Sequence, residues 1–143
     1  MRIADLLRTK GTAVATVTPE TTVTELLAGL AEHNVGAMVV VAPDGSIAGI
    51  VSERDVVRRL HDRGPGLLGG PVSEIMTTLV ASCRPEDSID QLSVLMTQRR
   101  IRHVPVLVEG KLAGIVSIGD VVKNRMEQLE KSQEQLEAYI SQG

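Results

Sequence analysis

Aromatic residues are almost absent from this sequence: its 143 residues include one tyrosine and neither phenylalanine nor tryptophan. A hydrophobic core must therefore be built from aliphatic side chains and methionine, and any bound ring would lie between aliphatic walls. Proteins that bind single-stranded nucleic acid usually stack the bases on aromatic side chains. The net charge of −3 also provides no field that attracts a polyanion. The composition therefore argues against nucleic acid as a partner.

Cysteines and long apolar runs are also scarce. The single Cys83 excludes an internal disulfide and a metal site built from several cysteines. No apolar run approaches the roughly 20 residues that a membrane-spanning helix needs. Residues 1–11 lack the apolar segment of a secretory signal. These absences predict a soluble, cytoplasmic protein without a membrane anchor.

The sequence also lacks the usual motifs of catalysis. His33, His61 and His103 lie in different local contexts without the spacing of metal ligands. Cys83 has no evident base nearby, and a lone cysteine is more often a small core residue than a nucleophile. The glycine-rich stretch 64–70 lacks the Gly-Lys-Ser/Thr ending of a phosphate-binding loop. We therefore predict no catalytic residue, no metal site and no required cofactor.

What the sequence does contain is a duplication. Residues 49–55 read Gly-Ile-Val-Ser-Glu-Arg-Asp, and residues 114–120 read Gly-Ile-Val-Ser-Ile-Gly-Asp. Further identities join the two halves when Val14 is aligned with Val80, an offset of 66 residues that becomes 65 after a turn. Internal repeats of this length indicate one structural unit used twice.

Each copy predicts the element order β-α-β-β-α. Capping-box spacings, Thr22 with Glu25 and Ser88 with Gln91, mark the start of the first helix in each copy. Tight turns rich in Asp, Glu and Gly join the two later strands of each copy. Strands are expected at 14–17, 38–42 and 47–51 in the first copy, and at 80–83, 104–108 and 112–116 in the second. Short helical segments are expected at 3–7 and 72–76.

One such unit has too small a core to be stable alone. We therefore expect an α/β (α+β) fold in which the two repeats pack sheet to sheet with pseudo-two-fold symmetry, followed by a long C-terminal helix. The expected boundaries are a first repeat at 1–62, a Gly/Pro-rich linker at 63–71, a second repeat at 72–127 and a helical extension at 128–143.

The C-terminal segment predicts an uninterrupted helix over 121–140. Its apolar positions follow a heptad spacing with one polar member: Val122, Met126, Leu129, Gln133, Leu136 and Ile140. Two interpretations are open. The helix packs on its own repeat, or it pairs with another chain and forms a homodimer. The second is favoured because the helix extends beyond the repeat that would cover it.

The repeated Ser-x-x-Asp also has two interpretations. Ser52 and Ser117 are well placed as helix N-caps, with Asp55 and Asp120 favouring the helix dipole. A strand that leads directly into a helix N-terminus also offers donors and acceptors to an anion or to hydroxyl groups. From the residues alone, both interpretations stand.

Two β-α-β-β-α units that each end in Gly-h-h-Ser/Thr-x-x-Asp, where h is an apolar residue, resemble a tandem pair of CBS domains (a Bateman module). The segments 72–77 and 103–106 are similar to other characteristic stretches of that family. The resemblance implies a non-catalytic regulatory module that signals to an unidentified effector protein through the geometry of a dimer. It implies clefts between the repeats for AMP, ADP or ATP, with NAD and S-adenosylmethionine as further candidates.

The resemblance also implies roles for individual residues. Asp55 and Asp120 would accept hydrogen bonds from ribose hydroxyls, supported by Ser52 and Ser117. The main chain around Thr16 and Ser82 would contact the adenine edge. Its aliphatic walls would be Val14, Val80, Met38 and Val104. The remaining implied ligand-binding residues are Arg54, Arg100, Arg102, His103 and Pro105. Arg100 is equally well explained as a solvated cation at a helix end.

The two clefts are not expected to be equivalent. Where the second copy has Arg102, His103 and Pro105, the first has small or aliphatic residues. The competing function is a protein-interaction scaffold that binds no nucleotide and uses Ser-x-x-Asp only as a helix cap.

Overall fold

The computed structural model describes residues 1–78 and 80–142. It is a mixed α+β fold with two small sheets. The elements in chain order are α1 (Ile3–Lys10), β1 (Thr16–Val17), α2 (Val23–His33), β2 (Ala37–Val41), β3 (Ile47–Ser52), α3 (Glu53–Arg63), 3₁₀ segments at Pro65–Gly69 and Val72–Glu74, α4 (Ile89–Arg99), β4 (His103–Val108), β5 (Lys111–Ser117) and α5 (Ile118–Gln142). The predicted fold class is confirmed.

Both repeats have the predicted strand arrangement, with shorter first strands than expected. In the first repeat, β1 pairs in parallel with β2, and β2 pairs antiparallel with β3. In the second, β4 and β5 form an antiparallel pair. The strand predicted at 80–83 is reduced to a single parallel bridge between Cys83 and Val106. This bridge is the equivalent, 66 residues later, of the pairing between Val17 and Val40 in the first repeat. Cys83 alone exchanges main-chain hydrogen bonds with β4, to Pro105 and Leu107, and this explains the reduction.

Two separate hydrophobic cores form, one in each repeat. The apolar faces of α2 and α4, set by the predicted helical spacing, supply the centre of each core. The first core also contains Leu67 from the linker, which forms a 3₁₀ segment rather than an extended connection. Aliphatic residues and methionine fill both cores, as the lack of aromatic residues requires.

The segments that precede the repeats are exchanged between them. Ile3, Leu6 and Leu7 of α1 lie in the core of the second repeat, whereas Val72 and Ile75 lie in the core of the first. The main chain shows the same exchange. The Ile3 amide donates to the Asp87 carbonyl at 2.9 Å, and the Val72 amide donates to the Thr21 carbonyl at 2.8 Å. Each core is therefore completed by the segment that leads into the other repeat.

The first glycine of each signature lies where this exchanged segment approaches most closely. A Cβ atom on Gly49 would lie 2.6 Å from the carbonyl oxygen of Thr77. A Cβ atom on Gly114 would lie 2.9 Å from Cδ2 of Leu7. Packing therefore requires glycine at position 49, where the atom is backbone, and restricts position 114 less, because the end of the Leu7 side chain can move.

The last helix, α5, begins at Ile118, three residues before the predicted start, because β5 leads into it without a loop. Its first turns bury Val121 and Asn124 against the second repeat, and the rest of the helix is exposed. Within the described part of the chain, no helix is both long enough and apolar enough to cross a membrane.

Candidate functional site

Each signature places a serine and an aspartate at a junction between a strand and a helix. In the first repeat the Glu53 amide donates to the Gly36 carbonyl at 3.0 Å. In the second, the Ile118 amide donates to the Arg102 carbonyl at 2.8 Å. These equivalent bonds hold the start of each helix against the beginning of the neighbouring strand. The register then places Ala37 opposite Ser52 and His103 opposite Ser117.

In the first repeat, Ser52 and Asp55 form a reciprocal capping box. Oδ2 of Asp55 accepts hydrogen bonds from the Ser52 amide at 2.8 Å and from the Ser52 hydroxyl at 3.0 Å. The Asp55 amide donates to Oγ of Ser52 at 3.3 Å. These hydrogen bonds confirm that Ser52 and Asp55 cap the start of α3. These bonds engage Oδ2, which leaves Oδ1 as an acceptor.

The second repeat has the same cap and, in addition, a cation. Oδ2 of Asp120 accepts from the Ser117 amide at 2.9 Å, and the Asp120 amide donates to Oγ of Ser117 at 3.2 Å. Nζ of Lys10 forms an ion pair with the same Oδ2 and donates to the Ile115 carbonyl at 2.7 Å. Burial raises the pKa of Asp120, but the hydrogen bonds from Lys10 and Ser117 outweigh it and hold that pKa below its usual value.

His103 lies beside this ion pair at the boundary between the repeats. A Cβ atom on Gly36 would lie 3.8 Å from Cε1 of His103 and 2.8 Å from Oε1 of Glu53, so all three residues meet there. Burial lowers the pKa of His103, and the positive charge of Lys10 lowers it further. Burial thus favours the neutral imidazole, and Lys10 and Arg102 are positive charges close enough to disfavour its protonation.

The structure separates the other predicted ligand-binding residues into three groups. Met38, Val104 and Pro105 are buried, the first two in the two hydrophobic cores. Val14 and Val80 are half-buried, and Thr16, in β1, and Ser82, just before Cys83, are exposed. The arginines are exposed: Arg54 in the first turn of α3, Arg100 as the left-handed residue that ends α4, and Arg102 just before β4. The structure thus gives Arg100 a clear role at a helix end.

Sequence reasoning missed Lys10 as a member of the site. Lys10 lies 110 residues from Asp120 in a segment outside the repeat alignment, so no spacing signal connects the two. It also missed that Gly36 and Glu53 meet His103 across the boundary between the repeats. Within residues 1–78 and 80–142, no three His, Cys, Asp or Glu side chains are grouped to hold a metal ion.

Concave surfaces on the helices are a different feature from the signature sites. A depression of about 480 Å³ lies between α2 and α3 and is bordered by Gly36 and Glu53, but not by Asp55. Another, of about 540 Å³, lies along α5 and is lined by Gly119, Val122 and Met126, but not by Asp120. Neither depression is lined by the signature aspartates or by Lys10.

A duplicated β-α-β-β-α unit with exchanged leading segments and a capped aspartate at each strand–helix junction defines a two-repeat α+β module. The family model for the CBS domain matches residues 3–62 and 72–127. The chain therefore belongs to the CBS-domain family, and the family resemblance found in the sequence is confirmed.

Known proteins are similar to this chain in sequence, and solved structures are similar to it in fold. The mitochondrial CBS domain-containing protein CBSX3 of Arabidopsis thaliana is 35% identical over 149 residues, which cover 99% of this chain and 72% of the relative. The crystal structure of the CBS-domain containing protein ATU1752 from Agrobacterium tumefaciens has a TM-score of 0.84 and 45% identity, covering 87% of this chain and 92% of that one. The crystal structure of CBSX2 in complex with AMP has a TM-score of 0.72 and 25% identity, covering 88% and 96%.

Proposed function

We propose that this protein is a non-catalytic regulatory module that binds an adenine nucleotide or a related adenosyl ligand in clefts between its two repeats. The observation that carries the proposal is the junction at Asp120. A half-buried carboxylate lies there at a helix N-terminus beside Lys10, and the carbonyl of Arg102 accepts from the first amide of that helix. The complex of the related CBSX2 with AMP supports the same ligand class.

The chemistry of the junction suits a nucleotide. An ionised carboxylate only accepts hydrogen bonds, so the free oxygen of Asp120 suits a ribose hydroxyl. The exposed guanidinium of Arg102 suits phosphate oxygens. AMP, ADP and ATP are the first candidates, and NAD and S-adenosylmethionine share the adenosyl group.

Titration calorimetry with this ligand panel tests the proposal. We expect AMP or another adenine nucleotide to bind, and Asp120→Ala to weaken binding by about 1.5–3 kcal/mol, the range for a hydrogen bond to a charged group. Arg102→Ala should weaken AMP far more than adenosine, since a guanidinium discriminates through phosphate. Wild-type protein that binds none of the panel, and shows no ligand-dependent rise in melting temperature, would support the scaffold function instead.

We further propose that the module works as a homodimer that signals to an effector protein. Leu129, Leu136 and Ile140 on α5 are between 59% and 67% exposed, and they form one stripe beyond the second repeat. Burial of each such side chain is worth about 1.5–3 kcal/mol. The helical face of the repeats also exposes Val57 and Val122, which occupy equivalent positions. Self-association about a two-fold axis would cover both surfaces.

Truncation after Glu127 and light scattering test this assembly. We expect the full chain to be a dimer and the truncated chain to dissociate more readily. A truncated chain that remains a stable dimer would assign the interface to the repeats, and a monomeric full chain would disprove the homodimer.

A cytoplasmic location also remains a prediction. The name of the Arabidopsis relative places that protein in mitochondria, so fractionation of cells that express this chain is the appropriate measurement.

A further inference from the structure

The ion pair between Lys10 and Asp120 differs from the other ion pairs of the described chain in its location. Its side chains are 30% and 22% exposed, whereas the pairs Arg8–Asp5, Arg63–Glu74 and Arg125–Asp90 have side-chain exposures from 42% to 81%. Lys10 is the last residue of α1, which Ile3, Leu6 and Leu7 anchor in the core of the second repeat. The ammonium group is therefore delivered to the cleft by a docked helix, not by a free terminus.

The second hydrogen bond of Lys10 shows how closely the lysine is fitted into the repeat. In the first repeat, Ile50 exchanges main-chain hydrogen bonds of 3.0 and 2.9 Å with Thr77. Ile115 is the equivalent residue of the second repeat, at the offset of 65. Its carbonyl accepts from Nζ of Lys10 at 2.7 Å. The lysine side chain thus makes a contact that the main chain makes in the other repeat.

This arrangement affects what Asp120 offers a ligand. Its Oδ2 already accepts from the Ser117 amide and from Lys10. Oδ1 of Asp120 stays open to a ribose hydroxyl, whether or not the ligand carries a phosphate. Lys10 has three N–H donors, and Asp120 and the Ile115 carbonyl accept two of them. A ligand phosphate can accept the third, a charge-assisted hydrogen bond that an uncharged nucleoside cannot form.

We infer that Lys10 makes the cleft of the second repeat selective for adenosyl ligands that carry a phosphate over uncharged nucleosides. The inference rests on the proposed function and deepens it by naming the ligand charge. The first repeat has no counterpart, because Asp55 forms no ion pair with a lysine or arginine among residues 1–78 and 80–142. Selectivity for phosphate is therefore a property of one cleft.

Calorimetry with AMP and adenosine tests this role in wild-type protein, Lys10→Met, Lys10→Arg and Arg8→Met. The measured quantity is the ratio of the two dissociation constants. We expect Lys10→Met to reduce the preference for AMP by about tenfold or more, the size of one charge-assisted hydrogen bond. Lys10→Arg should keep the preference because it keeps the charge. Arg8→Met should keep it because Arg8, on the same helix, pairs with Asp5 at the surface. The binding heat that is lost in Asp120→Ala is assigned to the cleft of the second repeat.

The outcomes separate the two proposals. Wild-type protein that binds AMP, with an unchanged preference in Lys10→Met, would overturn the role of Lys10 and leave the nucleotide function intact. Wild-type protein that binds neither ligand would overturn both. If Lys10→Met does not fold, Lys10→Gln gives the same comparison, since it keeps a hydrogen-bond donor for Ile115 without the charge.

Discussion

The two repeats agree in their packing and differ in the chemistry of their clefts. Each has a helix with one buried face, a two-stranded hairpin, a Ser-x-x-Asp cap and a docked segment that leads into the other repeat. The side chains beside the caps differ: Gly36, Ala37 and Arg54 in the first repeat correspond to Arg102, His103 and Gly119 in the second. Duplication has kept the backbone hydrogen bonds at the strand–helix junctions, while the charged side chains beside them are specific to each copy.

The largest effect that tests this comparison should come from the exchanged segments. Ile3 and Val72 are fully buried at equivalent positions. We expect Ile3→Ala to reduce the free energy of unfolding by about 2–5 kcal/mol, and Val72→Ala to reduce it by about 1.5–3 kcal/mol. Urea denaturation measures both. The exposed neighbour Thr9→Ala should change stability by less than about 0.5 kcal/mol. An Ile3→Ala protein as stable as the wild type would show that α1 is not docked.

The signature glycines should give a smaller and unequal effect. An alanine at position 49 would meet the carbonyl oxygen of Thr77, which belongs to the backbone, whereas an alanine at position 114 would meet the flexible side chain of Leu7. We expect Gly49→Ala to lower the free energy of unfolding by about 1–3 kcal/mol, and Gly114→Ala to lower it by less. Thermal and urea unfolding of the two variants provide the comparison. Equal losses of unfolding free energy in the two variants would contradict the expected difference between the backbone contact at Thr77 and the side-chain contact at Leu7.

The smallest effect should be the dependence of stability on the protonation of His103. The first repeat lacks this contribution, because its equivalent residue is Ala37. The pKa of His103 lies below its usual value of 6.5, first because of burial and then because of Lys10. The unfolded chain therefore binds this proton at higher pH than the folded chain does. The free energy of unfolding should decrease as pH falls from about 6.5 toward the lowered pKa, by at most about 1.4 kcal/mol per pH unit.

Replacement of this histidine isolates its share of the pH dependence. His103→Gln should flatten the stability curve in that range, measured by urea denaturation with pH 8 as the baseline for both proteins. A curve that remains as steep as in the wild type would assign the pH dependence to other groups.

Most of the fold was predictable because its signals are local. The spacing of apolar residues identified the buried faces of α2 and α4, and the two Ser-x-x-Asp patterns marked the caps of α3 and α5, although the helix expected from 121 begins at Ile118. The segment at 80–83 was overpredicted, because β-branched and small residues favour a strand locally, while only Cys83 reaches a partner in β4. Strand length depends on a neighbour that a local pattern does not contain.

The sequence by itself determined the duplication, the order of elements, the family and the positions of both caps, because each of these depends on residues within one repeat or on direct comparison of the two. Only the tertiary structure decided which repeat each leading segment completes and which charged groups meet in the cleft. Lys10 and Asp120 are brought together because α1 buries Ile3, Leu6 and Leu7 in the second core. Hydrophobic burial is non-directional and carries no signal of its partner in the sequence. The contact that distinguishes the two clefts therefore became visible only once the chain was folded.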